Sequence, residues 1–223
     1  KSSYVITIYD LIKEKFYNDK FKNEEINKIK YFSCMDKIIC ISENTKKDLI
    51  DHYKLSPQLI EVVHLGVSFD KSYIKIDNKI PKKPYLLFVG ERYRYKNFKN
   101  FILAYTKSNR LKKDFDILCF GGNSFTSEEI NFFKEFRISQ NIKQINGSDL
   151  ELNYVYKKAR CFIFPSLYEG FGLPLLEAMN MDCPVICSDT SCFSEVTNNA
   201  AAMFDPNNIE NIIHEIEDVV YDE

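Results

Sequence analysis

The sequence has no Cys-x-x-Cys pair, no excess of basic over acidic residues, no long apolar run and no low-complexity tract or internal repeat. Each absence removes a class of function. Thirty Lys and Arg are scattered among 32 Asp and Glu, for a net charge of -2, so the basic stripe of a nucleic-acid binder is missing and no nucleic-acid partner is expected. Seven cysteines form an odd set with no neighbouring histidine, which argues against both a zinc site and a disulfide framework. Several lie within apolar runs such as Ile38–Ile41 and Cys161–Phe164, where cysteine serves as a small buried hydrophobe. That usage implies a reducing, cytoplasmic compartment. His52, His64 and His214 lack metal-ligand spacing, and core or surface roles are expected of them. No apolar run is long enough to span a bilayer, and no signal peptide is visible.

What is present describes a folded chain. Hydrophobic residues make up 45% and charged residues 28% of 223 positions, enough to build a core. The chain opens at Lys1, a residue or so before an apolar strand, and is therefore expected to be a fragment with partner strands upstream. Strands are expected at Val5–Tyr9, Lys37–Ile41, Ile60–His64, Tyr85–Gly90, Phe115–Phe120, Ile142–Ile145, Cys161–Phe164, Val185–Cys187 and Ala201–Phe204. Helices are expected between them at Asn23–Tyr31 with Ser33–Met35, after Ser42, and at Asn97–Ser108, Ser127–Ile138, Leu150–Lys158, Pro174–Asn180 and Ile209–Tyr221.

Near-continuous apolar strands alternating with helices indicate an α/β fold with a parallel sheet covered on both faces. A polar, proline-flanked stretch from Asp70 to Pro84 is the best linker, and two domains, 1–77 and 78–223, are expected around it. In such sheets ligands bind beyond the carboxyl ends of the strands, which directs attention to the loops after Val89, Phe120 and Phe164.

Two of those loops carry chemistry. In Gly90-Glu-Arg92-Tyr-Arg-Tyr-Lys96-Asn97, an Arg and a Lys stand four apart between a strand end and a helix start. Arg offers paired donors to phosphate oxygens, Lys a point charge, and the helix amino end a partial positive charge; together they suit a diphosphate. A solvated basic loop is the plain alternative. The second loop, Glu169-Gly-Phe-Gly172-Leu-Pro174-Leu-Leu-Glu177, runs into a helix whose free N–H groups can bind an anion. Its carboxylates can accept paired hydrogen bonds from vicinal hydroxyls. The plain alternative for Glu177 is that it merely complements the helix dipole.

The spacing Glu169-x(7)-Glu177 resembles the signature of glycosyltransferase family 4 (group 1). Four further segments fall in that family's order: Asp36–Ser42, Val63-His-Leu-Gly66-Val67, Gly90-x-Arg92-x-x-x-Lys96-Asn97, and Pro184–Ser188 through Glu195-Val196. The resemblance begins near Val5 and covers nearly the whole chain, mostly the family's C-terminal donor-binding domain. It implies two Rossmann-like doubly wound domains facing each other (the glycosyltransferase B architecture), the first incomplete in this chain. It also implies retaining, metal-independent transfer of a hexose from a nucleoside-diphosphate sugar to a glycan or lipid-linked acceptor. The donor is a co-substrate, and no cofactor is expected.

Carried over by position, the resemblance makes Arg92, Lys96 and Glu169 catalytic. Arg92 and Lys96 hold the diphosphate and stabilise the leaving charge. Glu169 and the backbone of Gly170, Phe171, Gly172 and Leu173 hold the sugar and distal phosphate, and Glu177 the ribose. Gly90 lets the backbone turn closely, and Asn146 with Gly147 sits near the base. Two departures stand out. Tyr9-Asp10 replaces the family's His-Asp pair, which bears on sugar identity or activity, and Ser194 replaces a Pro. The resemblance also suggests a polysaccharide pathway at the inner face of the membrane. Two other readings remain open: a sugar-nucleotide epimerase or phosphorylase on the same architecture, and a fragment that binds donor without turning it over. A retaining hydrolase is not supported, because nothing fixes a second carboxylate opposite Glu169.

Overall fold

A computed structural model describes residues 3–17, 22–68 and 70–222; Lys1 and Glu223, the outer limits of the two expected domains, lie outside them. The described residues build two parallel sheets. The smaller has the order β1-β2-β3, from Val5–Ile8, Lys37–Cys40 and Ile60–Val62. Ile6 pairs with Ile38 and Ile38 with Ile60, so both registers run in parallel. Helices α1 (Ile12–Phe16), α2 (Lys22–Phe32) and α3 (Glu43–Tyr53) connect these strands. Leu11, Ile38, Cys40, Leu49 and Ile60 form their core.

The larger sheet contains β4 (Tyr85–Val89), β5 (Asp116–Phe120), β6 (Ile142–Ile145), β7 (Cys161–Phe164), β8 (Val185–Ser188) and β9 (Ala202–Phe204). Their order is β6-β5-β4-β7-β8-β9, all parallel. Successive side chains of a strand face opposite ways. Leu86 and Phe88 accordingly enter a core shared with α4 (Phe98–Lys107), α5 (Asn109–Asp114), α6 (Ser127–Glu135) and α10 (Ile209–Tyr221). Tyr85 and Leu87 enter another, shared with α7 (Asp149–Lys158), α8 (Leu173–Asn180) and α9 (Phe193–Thr197). Because both faces are covered, β7 reads Cys-Phe-Ile-Phe with every side chain buried. Truncating one of its phenylalanines to Ala would cost about 3–5 kcal/mol.

Local chemistry places the helix starts. The Ser42 hydroxyl accepts the Thr45 N–H at 3.0 Å to open α3. Thr126 with Glu129 and Ser148 with Glu151 form reciprocal capping boxes on α6 and α7. Short elements escaped the sequence pattern: α1, α5 and α9 have only five or six residues each. Ser33–Met35, expected to be helical, is instead a turn. The chain reverses there so that the Asp36 N–H reaches the Tyr4 carbonyl at 2.8 Å while the Tyr4 N–H reaches the Asp36 carboxylate at 2.8 Å.

The stretch from Asp70 to Pro84 has no strand or helix, yet it is not loose. The Ile74 N–H donates to the Leu150 carbonyl at 3.0 Å, Asn153 donates to the Ser72 carbonyl at 2.8 Å, and Ile76 is buried. It lies along α7.

Candidate active site

The order of the larger sheet reverses between β4 and β7. Strands β4, β5 and β6 step one way from that point and β7, β8 and β9 the other. Loops leaving the two sides of such a switch point open a crevice beyond the strand ends. Here those loops are 90–97 and 165–172. A backbone hydrogen bond from the Leu167 N–H to the Tyr95 carbonyl, 2.7 Å, ties them together.

The first loop turns at Gly90, whose φ of +103° suits glycine. It continues through a 3₁₀ turn, Arg94–Lys96, to Asn97 in the left-handed region. The Asn97 amide donates to the Pro206 carbonyl at 2.8 Å and fixes the start of α4. Lys96 is thereby aimed at the second loop, and its Nζ stands 2.7 Å from Glu169 Oε1. Both side chains are largely covered, 17% and 12% exposed, with Nζ also above the Phe164 ring at 5.6 Å. A charge pair this sheltered is coupled more strongly than one in bulk water.

The second loop is held from beneath. The Glu169 N–H donates to Ser191 Oγ at 3.2 Å, and that hydroxyl donates to the Glu169 carbonyl at 2.7 Å. The Cys192 thiol donates to the Phe171 carbonyl at 3.1 Å, and burial pushes that thiol up to about 12, well away from thiolate chemistry. Gly172 takes φ +94° and passes into α8 with Leu173 and Pro174 leading. Gly170 is packed against the smaller sheet's edge, where a side chain would strike the Tyr9 carbonyl. Phe171 is buried and lies 5.8 Å from the His64 ring.

The other candidates stand around this pair without joining it. Glu177 is half-buried and accepts a hydrogen bond from the Tyr156 hydroxyl of α7 at 3.2 Å. Burial raises its carboxyl above the ordinary value, Tyr156 opposes that, and Asp149 adds to it. Asn146 accepts from the Gln144 amide at 3.1 Å. A Cβ on Gly147 would lie 2.6 Å from Glu151 Oε2 of the α7 capping box and 3.1 Å from the Phe120 ring, so the site is tight for any side chain.

Arg92 turns to α6. Its Nε donates to Glu129 Oε1 at 2.7 Å, its Nη2 to the Asn123 carbonyl at 2.6 Å, and its guanidinium lies between Phe98 and Phe125. In this conformation it is not at the Lys96–Glu169 pair. Its Nη1 is buried with no hydrogen-bond partner among the described residues.

Sequence reasoning overlooked the groups that join the two sheets. Tyr168 donates to Asp48 at 2.8 Å, Lys15 pairs with the same carboxylate at 2.8 Å, and Lys15 also lies over the Tyr168 ring. Glu195 accepts the Glu43 N–H at 2.8 Å and meets His64 Nε2 at 2.6 Å. Glu195 and His64, each within a motif, carried a signal; the rest are ordinary polar residues until the fold assembles them. Among the described residues, no group of three or more His, Cys, Asp or Glu side chains could hold a metal ion. Among them too, no helix is long and apolar enough to cross a membrane.

The chain is similar to known proteins along most of its length. The O-antigen chain mannosyltransferase RfbU of Salmonella typhimurium is 28% identical over 213 residues, covering 90% of this chain and 56% of that protein. A second relative is the N-acetylgalactosamine-N,N'-diacetylbacillosaminyl-diphospho-undecaprenol 4-alpha-N-acetylgalactosaminyltransferase of Campylobacter jejuni. It is 26% identical over 155 residues, covering 69% of this chain and 41% of that protein. Among solved structures, Anabaena Alr3699/HepE in complex with UDP and glucose superposes with a TM-score of 0.81 at 14% identity, over 99% of this chain and 62% of that one. At that identity the likeness concerns fold alone, and the fold is of the glycosyltransferase B type. The chain thus spans roughly half the length of the curated relatives it matches. The family model for glycosyl transferases group 1 matches residues 70–223, and the chain belongs to that family.

Proposed function

We propose that this chain carries the donor site of a retaining, metal-independent hexosyltransferase that takes its sugar from a nucleoside diphosphate. The Lys96–Glu169 pair at the switch point carries the reading. A diphosphate arriving beside Lys96 competes with Glu169 for the ammonium group. When the phosphate takes the cation, the Glu169 carboxylate is released to accept hydroxyls of the sugar, so charge neutralisation and sugar orientation are one event. The free N–H groups at the start of α8, presented by Gly172 and Leu173, add donors for the distal phosphate.

Bond breaking between the anomeric carbon and the phosphate leaves negative charge on the diphosphate. Lys96 and the α8 amino end are aimed where that charge develops, which is electrostatic catalysis in a preorganised site. Glu177 takes the ribose hydroxyls, and Asn146 with Gly147 borders the base. Arg92 reaches the diphosphate only by leaving Glu129. We assign it that role on the condition of this rotation, and otherwise that of bracing the loop against α6.

Mannose is the favoured sugar, since RfbU is a mannosyltransferase by name. A lipid-linked glycan acceptor is supported by the undecaprenol-linked substrate in the name of the Campylobacter relative; in this reading chain and acceptor meet at the inner face of the membrane. Transfer, rather than epimerisation or phosphorolysis, is supported by the company the chain keeps in its family.

Thermal denaturation of the chain with GDP, UDP, ADP and their hexose conjugates tests the reading. A ligand present at about a hundred times its Kd adds about 2.7 kcal/mol, a shift of roughly 5–10 °C for a domain of this size. One base should produce that shift, and Glu177→Ala should remove it. Equal shifts in both proteins, or none with any nucleotide, would count against the assignment.

A further inference from the structure

A cavity of about 640 Å³ opens between the loop after β4 and the amino end of α6. It lies within the range of small-molecule sites, about 300–1,000 Å³. We propose that it is a saccharide subsite for the acceptor, a deepening of the transferase reading just given.

Its lining selects for no ion. Arg92, Arg94 and Lys99 are balanced by Glu91, Glu128 and Glu129. Such a set of donors and acceptors, with no net charge, suits a neutral polyhydroxyl ligand. Tyr17, Tyr93 and Phe132 add aromatic surface, on which the apolar C–H face of a pyranose ring can lie. Tyr93 is 52% exposed, a wide aromatic surface free for contact.

Two further observations favour a ligand here. The Arg92 side chain is 5% exposed, and its Nη1 is buried without a partner among the described residues, while its other nitrogens are paired to Glu129 and Asn123. A buried orphan donor is uncommon, and a turn of the guanidinium toward the cavity would offer it to an acceptor oxygen there. The cavity is also placed to feed the donor site. The same short turn, Arg94–Lys96, contributes Arg94 to the cavity and Lys96 to the pair with Glu169. Tyr17, at the end of α1, brings the smaller sheet's side of the molecule to the rim.

Saturation-transfer NMR of the chain with methyl hexosides and hexose disaccharides at millimolar concentration tests this. Binding is expected for at least one saccharide, weakened by about tenfold in Tyr93→Ala, the size of one aromatic contact. Asn123→Ala, which alters an exposed residue of the same wall, should also weaken it. Glu177→Ala should leave saccharide binding intact, and Tyr93→Ala should leave the nucleotide-induced thermal shift intact. The proposal fails if no saccharide binds, or if binding ignores both Tyr93 and Asn123. It fails equally if Tyr93→Ala abolishes the nucleotide shift, because the cavity would then belong to the donor. Loss of nucleotide binding by the wild-type chain with saccharide binding retained would sink the donor reading and leave this one standing.

Discussion

A methyl group placed on Gly170 would sit 1.9 Å from the carbonyl oxygen of Tyr9, far inside any real contact. The glycine loop of the larger sheet and the segment leaving β1 of the smaller one therefore meet backbone to backbone. The close approach also explains a glycine for which no strained dihedral is needed. Gly170→Ala should push the two sheets apart locally. Overpacking of this kind costs about 1–3 kcal/mol. A drop in the denaturation midpoint should accompany a loss of transfer of at least tenfold, since displacement of about 1 Å in such a site costs that much or more. An unchanged midpoint would mean that the contact is not maintained in solution.

Lys96 and Glu169 can be separated by a double-mutant cycle. Lys96→Met leaves a sheltered carboxylate without its partner. Breaking a fully buried pair costs about 3–5 kcal/mol, and the residual exposure here brings the expected loss nearer 1–3 kcal/mol. Adding Glu169→Gln should recover much of that stability while activity stays lower by orders of magnitude. Additive losses in urea denaturation would show that the pair is not coupled.

Glu177 should be a residue kept for binding at some expense to the fold. Its carboxyl sits above the ordinary value chiefly because of burial. Between the ordinary and the raised value, the folded chain holds a proton that the unfolded chain has lost. Stability therefore falls as pH rises through that window, and the penalty is complete above it. Glu177→Gln should match the wild type at acid pH and exceed it at neutral pH, within about 1 kcal/mol. The nucleotide-induced shift should disappear in the same variant. A wild type that outperforms the Gln variant at neutral pH would show that the carboxylate stabilises the fold.

Glu195 caps a helix of the opposite sheet. Its carboxylate accepts the first N–H of α3 and touches His64. Glu195→Ala should cost about 0.5–2 kcal/mol, the scale of a lost helix cap. Hydrogen exchange should quicken at the start of α3 while the amides of α10 are unaffected. Uniform quickening would point to global destabilisation instead.

Thiol labelling should divide the cysteines sharply. Of seven, Cys34 is exposed and the others are buried. Burial raises the Cys40, Cys119, Cys183 and Cys187 thiols to about 12. One rapid equivalent with a thiol reagent in the native protein, and the remainder only on unfolding, is expected. A second rapid equivalent would reveal local opening.

The alternation of apolar runs with capped helices was enough to read a parallel α/β chain, because strands buried on both faces must be apolar throughout and helix caps act within four residues. The strands β2, β4, β6 and β7 and the helices α3, α4 and α10 were visible on those grounds. So were the two glycine-bearing loops, as each follows a strand and precedes a helix. Elements of five or six residues, α1, α5 and α9, were not, since so short a segment is helical only through what it packs against.

The amino-acid sequence thus determined which segments form strands or helices and which loops carry charge and glycine, both being local properties. It could not say which charges meet. Lys96 and Glu169 are 73 residues apart and touch only because the strand order reverses between β4 and β7. Arg92, four residues before Lys96, is drawn to Glu129 because Phe98 and Phe125 enclose its guanidinium. Ser191 and Cys192, unremarkable in the sequence, support the Glu169 loop because β8 lies beside β7. Partner choice is a property of distance in space, and only the packing of the sheets sets that distance.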